Sequence, residues 1–182
     1  MTSMNPAPNL VLVGPMGAGK TSIGRRLAEH FALAFVDADR EIEAQAGASI
    51  ATIFECEGEA GFRARERATL ARLLEGEGQL IATGGGAVLD AGTRTLLRTR
   101  GFVVHLQVSV YGQLQRLSRD RVRPLLQQGD REQILRDLAA ARASLYADVA
   151  DLVFDTEGLA AGDAARRLGE QLQAAWTRGA AA

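Results

Sequence analysis

The chain is nearly without lysine. Of its 21 basic residues only Lys20 is a lysine, and the rest are arginine. Arginine is a wide planar fork and lysine a compact point charge on a thin stem, so a lone lysine in this background marks a position where a guanidinium would not fit. Cysteine is equally scarce. Cys56 stands alone, which excludes an internal disulfide, and no metal-ligand spacing surrounds it. There is no apolar run of about 18 residues, so a helical membrane span is not expected. The opening MTSMNPAPN lacks a basic segment followed by an apolar stretch and does not read as a signal peptide. Residues 1–8 read instead as a flexible lead, kept extended by Pro6 and Pro8. Neither charge dominates: the net charge is −1, so no bulk pull toward nucleic acid or membrane arises. The expectation is a cytosolic monomer with no nucleic-acid or membrane partner.

What is present suits one domain over residues 1–182, with 47% hydrophobic and 24% charged residues. Short apolar runs at 10–13, 34–36, 80–82, 102–108 and 152–154 read as strands. Helical patterns occupy 21–31, 40–45, 59–74, 91–98, 111–117, 131–147 and 162–176. A further short helix, capped by Ser49, carries Ile50, Ile53 and Phe54, and Gly76 and Gly78 stop the helix at 59–74. Residues 119–129 form an arginine-rich loop broken by Pro124. Strands separated by helices imply right-handed crossovers and a parallel sheet covered on both faces, a three-layer α/β/α fold.

Residues 14–21, Gly-Pro-Met-Gly-Ala-Gly-Lys-Thr, fit the P-loop pattern G-x-x-x-x-G-K-[ST] between an apolar strand and an amphipathic helix. Each part has a physical task. The glycines let backbone N–H groups turn inward around phosphates, and the helix adds its positive N-terminal end. Lys20 reaches the β- and γ-phosphates and the Thr21 hydroxyl ligates Mg²⁺. ATP and Mg²⁺ are the expected cofactors, with Gly17, Ala18, Gly19, Lys20, Thr21 and Ser22 around the nucleotide.

A P-loop alone does not separate a GTPase, a motor and a small-molecule kinase. Guanine-specific GTPases usually carry N-K-x-D to read the base, and the only lysine here is already used. The small size argues against a multidomain motor. Asp37 and Asp39 lie at the end of the second strand, where ligands collect in an open parallel sheet. Two residues apart in an extended segment, their side chains share a side of the backbone. One could serve the Mg²⁺ shell and the other a substrate hydroxyl, or one could cap the following helix.

Six elements in order resemble the shikimate kinase family: GPMGAGKTSIGR, the D-x-D pair, SIATIFECEGEAGFRARE, IATGGGAV, the RVRPLL loop and ARASLY, spread over residues 14–146. The combination of D-x-D, G-E-x-x-F-R-x-x-E and the triple glycine is far more specific than the P-loop. The resemblance implies a five-stranded parallel sheet of the nucleoside-monophosphate-kinase type. It also implies transfer of the ATP γ-phosphate to the 3-hydroxyl of shikimate, in aromatic amino-acid biosynthesis. By the same resemblance Asp37 joins Thr21 in the Mg²⁺ shell, and Asp39 binds the shikimate hydroxyls and orients the attacking oxygen. Arg63 and Arg142 bind the substrate, whose carboxylate suits paired guanidinium N–H bonds, and Gly85 contacts it through the backbone. Arg116 and Arg123 belong to the nucleotide side, with residues 112–130 as a lid region. Lys20, Asp39 and Arg123 are then the catalytic set.

Blander readings accompany several of these. Arg63 stands four residues after Glu59 and three before Glu66, a spacing that also suits surface helix pairs. The glycine triplet could be a plain strand-to-helix turn, and Arg119 and Arg121 read as solvated. His105, in an apolar strand, reads as a core or edge histidine rather than a catalyst. His30 ends a helix, where a cation suits the dipole. Trp176 reads as packing of the last helix. The chain departs from many relatives in Thr21-Ser22, which keeps the hydroxyl, and in residues 155–158, which show no clear adenine-contacting match.

Overall fold

A computed structural model of the chain describes residues 7–118 and 130–176. Its elements run β1 (Asn9–Val13), α1 (Lys20–His30), β2 (Ala34–Asp37), α2 (Ala38–Ala46), α3 (Ile50–Glu75), β3 (Gln79–Ala82), a 3₁₀ turn (Ala87–Leu89), α4 (Ala91–Arg100), β4 (Gly101–Gln107), α5 (Val110–Leu117), α6 (Arg131–Val149), β5 (Leu152–Asp155) and α7 (Ala161–Ala175). The five strands are parallel in the order β2-β3-β1-β4-β5. The expected three-layer α/β/α fold is therefore the observed one.

The layers follow from the two-residue period of the central strands. Leu10 and Leu12 face a core that Leu27 of α1 and Leu168 and Leu172 of α7 complete. Val11 and Val13 point the other way, into a second core built from Leu70, Leu73 and Leu74 of α3, Leu97 of α4 and Val149 of α6. A strand buried on both faces needs a continuous apolar run, which β1 supplies as NLVLV with every residue buried. Asn9 is the polar exception, and it is fully satisfied. Its amide nitrogen donates to the carbonyls of Gly76 (2.8 Å) and Arg100 (3.3 Å), and its oxygen accepts from Gln79 N (3.2 Å).

Two smaller clusters lie outside the sheet. Ile42, Ile53 and Phe62 join α2 to the first part of α3. Leu117 and Leu135 join α5 to α6. The sequence pattern predicts two helices within residues 50–74, and the structure joins them. Gly58, at φ 70° and ψ −177°, breaks the helical geometry inside α3. The expected division is present as a kink, across which Arg65 pairs with Glu57 (2.7 Å). The fourth strand stops at Gln107 rather than at 108. Ala7, inside the expected flexible lead, is buried, and its carbonyl accepts from Trp176 Nε1 at 3.3 Å. Among the described residues no helix is long and apolar enough to cross a membrane.

Candidate active site

The carboxyl ends of β1, β2 and β3 converge, and the loops that leave them carry the candidate residues. The first loop starts at Gly14, where φ is 147° and a Cβ would collide with the Leu106 carbonyl oxygen. No L side chain passes there, which fixes the sharp exit from β1. Gly19, in the left-handed region at φ 95°, precedes the first residue of α1. Ala18 is fully buried, and Ser22 is exposed. Lys20 Nζ folds back over its own loop and donates to the carbonyls of Gly14 (2.7 Å) and Pro15 (2.9 Å). Those carbonyls are neutral acceptors, so an anionic phosphate oxygen would bind the ammonium more strongly than they do.

Thr21 Oγ1 donates to Asp37 Oδ2 at 3.2 Å. The other oxygen of Asp37 accepts from the backbone N–H of Asp39 (3.1 Å) and Arg40 (3.4 Å), capping α2. The capping and cation-shell readings of this aspartate are thus compatible, because each uses a different oxygen. The extended-strand argument for Asp37 and Asp39 needs correction. Asp37 ends β2 as the cap, and Asp39 already sits in the first turn of α2. Helical winding, rather than strand alternation, turns Asp39 toward the glycine triplet.

That triplet is the centre of the site. An ideal Cβ on Gly84 would lie 2.9 Å from Glu66 Oε2 and 3.0 Å from Asp39 Oδ1. On Gly85 it would lie 3.2 Å from Arg142 Nη1 and 3.6 Å from both Gly14 O and Met16 N. On Gly86 it would meet the Arg63 guanidinium, with Cζ at 2.5 Å. Three consecutive residues therefore touch Asp39, Glu66, Arg63, Arg142 and the phosphate loop. Any side chain larger than hydrogen would compete with them for space. The backbone is pinned from below, where Thr83 donates through N (3.1 Å) and Oγ1 (3.0 Å) to Leu12 O.

Arg63 does make the two pairs its spacing allows, to Glu59 (3.5 Å) and Glu66 (2.8 Å). The surface reading fails for the second pair, because Glu66 is buried. Burial raises the Glu66 carboxyl above its ordinary value against the opposing charge of Arg63. Glu66 Oε2 and Arg63 Nε have no hydrogen-bond partner among the described residues. Arg142 is buried as well. Two guanidinium groups and a buried carboxylate thus lie against the glycine triplet, and planar guanidinium forks of this kind have the chemistry to pair with a small carboxylate.

On the nucleotide side, Arg116 Nη1 donates to Gly17 O (2.9 Å) and Thr156 Oγ1 (3.0 Å), and Nη2 to Thr156 O (2.6 Å). It ties α5 to the phosphate loop and to the segment after β5. In that segment Glu157 accepts from Ser109 N (2.9 Å) and Ser109 Oγ (3.0 Å). Arg123, with most of the expected lid, lies outside the described residues. His105 is buried in β4, as its apolar strand suggests. Burial, followed by the charge of Lys20, lowers its pKa, which favours the uncharged ring.

Three contributors escaped the sequence argument as individuals. Glu66 is the last letter of the G-E-x-x-F-R-x-x-E element, and Tyr146 the last letter of ARASLY. The Tyr146 hydroxyl donates to Gly85 O at 2.5 Å. Thr156, which also donates to Gln107 O (2.7 Å), had no pattern to reveal it.

Known proteins resemble this chain over nearly its whole length. A family model described as shikimate kinase matches residues 16–173. A shikimate kinase of Stenotrophomonas maltophilia strain K279a is 63% identical over 175 residues, covering 96% of this chain and 97% of that protein. A shikimate kinase of Xanthomonas campestris pv. campestris strain 8004 is 57% identical over 173 residues, covering 95% and 96%. The solved structure of shikimate kinase from Acinetobacter baumannii in complex with shikimate superposes with a TM-score of 0.89 at 48% identity, covering 93% of this chain and 95% of that one. With the fold, the ordered motifs and relatives of this closeness in agreement, the chain belongs to the shikimate kinase family of ATP-dependent phosphotransferases.

Proposed function

We propose that the chain carries out its family's reaction, transfer of the ATP γ-phosphoryl group to the 3-hydroxyl of shikimate, with a specific division of labour. The loop from Gly17 to Ser22 holds the nucleotide phosphates, and Lys20 leaves its two carbonyl partners to bridge the β- and γ-phosphates. Arg63 and Arg142 bind the substrate, with guanidinium N–H groups for the shikimate carboxylate, and Gly85 contributes backbone contacts. Asp39 accepts a hydrogen bond from the acceptor hydroxyl and aims its oxygen at phosphorus. The new O–P bond forms as the bond to the β-bridging oxygen breaks, ADP carries away the displaced electron pair, and the hydroxyl proton leaves toward the Asp39 carboxylate that accepts its hydrogen bond. In phosphoryl transfer this positioning, together with charge stabilisation, does most of the work. The observation that carries the reading is the glycine triplet, whose three positions abut Asp39, Arg63, Arg142 and the phosphate loop at once.

Thr21 Oγ1 and Asp37 Oδ2, 3.2 Å apart, are hard oxygen donors suited to Mg²⁺. The bound ion would neutralise charge on the phosphates. Arg116 completes the nucleotide side among the described residues, while Arg123 and residues 119–129 of the proposed 112–130 lid lie outside them. The enzyme acts as a single-domain monomer in the cytosol. Steady-state turnover with shikimate and Mg-ATP tests the reaction. A folded, nucleotide-binding preparation that fails to phosphorylate shikimate, or that prefers gluconate or a nucleoside monophosphate, would reject it.

A further inference from the structure

The acceptor loop has a support that the reaction itself does not call for. Tyr146 of α6 reaches across to donate to Gly85 O at 2.5 Å, so its hydroxyl fixes the orientation of the central peptide in the triplet. The Tyr146 ring is buried and stacks on His105, with ring centroids 4.7 Å apart and planes inclined by 25°. His105 in turn is part of the rigid sheet. It pairs in register with Val13 of β1, the residue before the phosphate loop, and with Val153 of β5. The next residue, Leu106, presents the carbonyl that forces glycine at position 14. The β4 backbone at His105 and Leu106 therefore lies beside the base of the phosphate loop, while the His105 ring stacks on the tyrosine that holds the acceptor loop.

We propose that His105 is a positioning residue for the acceptor site, acting through Tyr146. Its flat face sets the tilt of the tyrosine ring and so the place from which the hydroxyl grips Gly85 O. The inference rests on the reading of Gly85 as a shikimate contact. The ring works as an uncharged aromatic surface, consistent with its burial and with the neighbouring Lys20 charge. A ring is needed there and an ionisable one is not, so another planar side chain should serve.

Three single variants and one double variant test this. His105→Ala removes the stack, and Tyr146→Phe keeps the stack but removes the donor. Each should raise the shikimate KM about three- to tenfold, the scale of one lost hydrogen bond, while the ATP KM stays within about twofold. His105→Phe should recover most of what His105→Ala loses. The double variant His105→Ala/Tyr146→Phe should be no worse than the more affected single variant, because both act through the Tyr146 hydroxyl, which meets Gly85 O and Arg142. Calorimetric binding of shikimate to the wild type runs alongside. Absence of binding there would overturn the reading of the acceptor site itself. If shikimate binds normally, the positioning role falls on any of three results: an unchanged shikimate KM in folded His105→Ala, equal rises in both KM values, or a His105→Phe variant as impaired as His105→Ala.

Discussion

Gly86→Ala should separate binding from folding at one atom. Gly86 sits at φ −97° and ψ 7°, in the bridge region, which is less populated than the helical one but allowed to alanine, as in type I turns. The backbone therefore does not resist the substitution. The obstacle is the Arg63 guanidinium, whose Cζ and Nη1 would each lie 2.5 Å from the new methyl carbon. Ordinary contact between such atoms is about 3.5–4.0 Å, so the guanidinium must retreat by about 1 Å or more. It can do so, being the end of a flexible side chain, and the fold should hardly register the change. Replacing glycine at a compatible position stabilises by about 0.4–1 kcal/mol through the unfolded chain, which offsets the local crowding. Function has no such outlet. A misplacement of about 1 Å costs on the order of a hundredfold in a positioned site, and loss of a charge-assisted hydrogen bond about 1.5–3 kcal/mol. We expect kcat/KM for shikimate to fall about ten- to a hundredfold, mostly through KM, with the ATP KM and the melting temperature little changed. A coupled assay for ADP release, with each substrate varied in turn, measures the split. In an Arg63→Ala background the same substitution should add almost nothing, since the group it displaces is gone. A shikimate KM within about twofold of wild type would show that Arg63 does not hold the acceptor, and the geometric argument would be refuted.

Lys20→Arg keeps the charge but not the shape. The wide guanidinium cannot lie between Gly14 O and Pro15 O as the ammonium does, so kcat/KM should drop about a hundredfold or more while the melting temperature holds. Near-normal turnover would make the lone lysine a compositional accident. Glu66→Gln should change how stability depends on pH. Burial raises the carboxyl's native pKa above 4.5, so between these values the native state holds more proton than the unfolded chain. Wild-type stability therefore loses ground as pH rises through that window, and the glutamine variant lacks this loss. The melting-temperature difference, variant minus wild type, should grow from pH 4.5 upward, and a flat difference would contradict the assignment. Asn9→Ala should cost about 2–3 kcal/mol in urea unfolding, because it strands the Gln79 N–H and two carbonyls without touching the site. Its KM values should stay those of wild type.

The legible parts of this chain are those whose physics is local. A run such as NLVLV before a glycine-rich loop reads as a buried strand, and the order of the eight residues from Gly14 to Thr21 is what points to phosphate binding. The cap that Asp37 makes follows from its place between a strand and a helix, and its other oxygen, which accepts from Thr21, stays available for the expected Mg²⁺ shell. The position of Asp39 was read through the wrong period, because a cap at Asp37 switches the chain from strand to helix within one residue. What resisted reading was any role set by distance across the fold. The i,i+3 spacing of Arg63 and Glu66 is the same whether a helix face meets water or the glycine triplet, and only the docking of α3 beside that loop decides. His105 shows the same limit more sharply. Burial in a strand was the sound expectation for a histidine among valines, yet the stack on Tyr146 joins residues 41 positions apart in sequence. No periodicity encodes such a contact. It arises because α6 packs on the same face of the sheet as Val13 and Val103, and the loop that carries the glycine triplet leaves that sheet beside it. A buried strand residue can therefore also be the one proposed to position the acceptor loop, and a burial argument alone, blind to the stack on Tyr146, assigns it to packing.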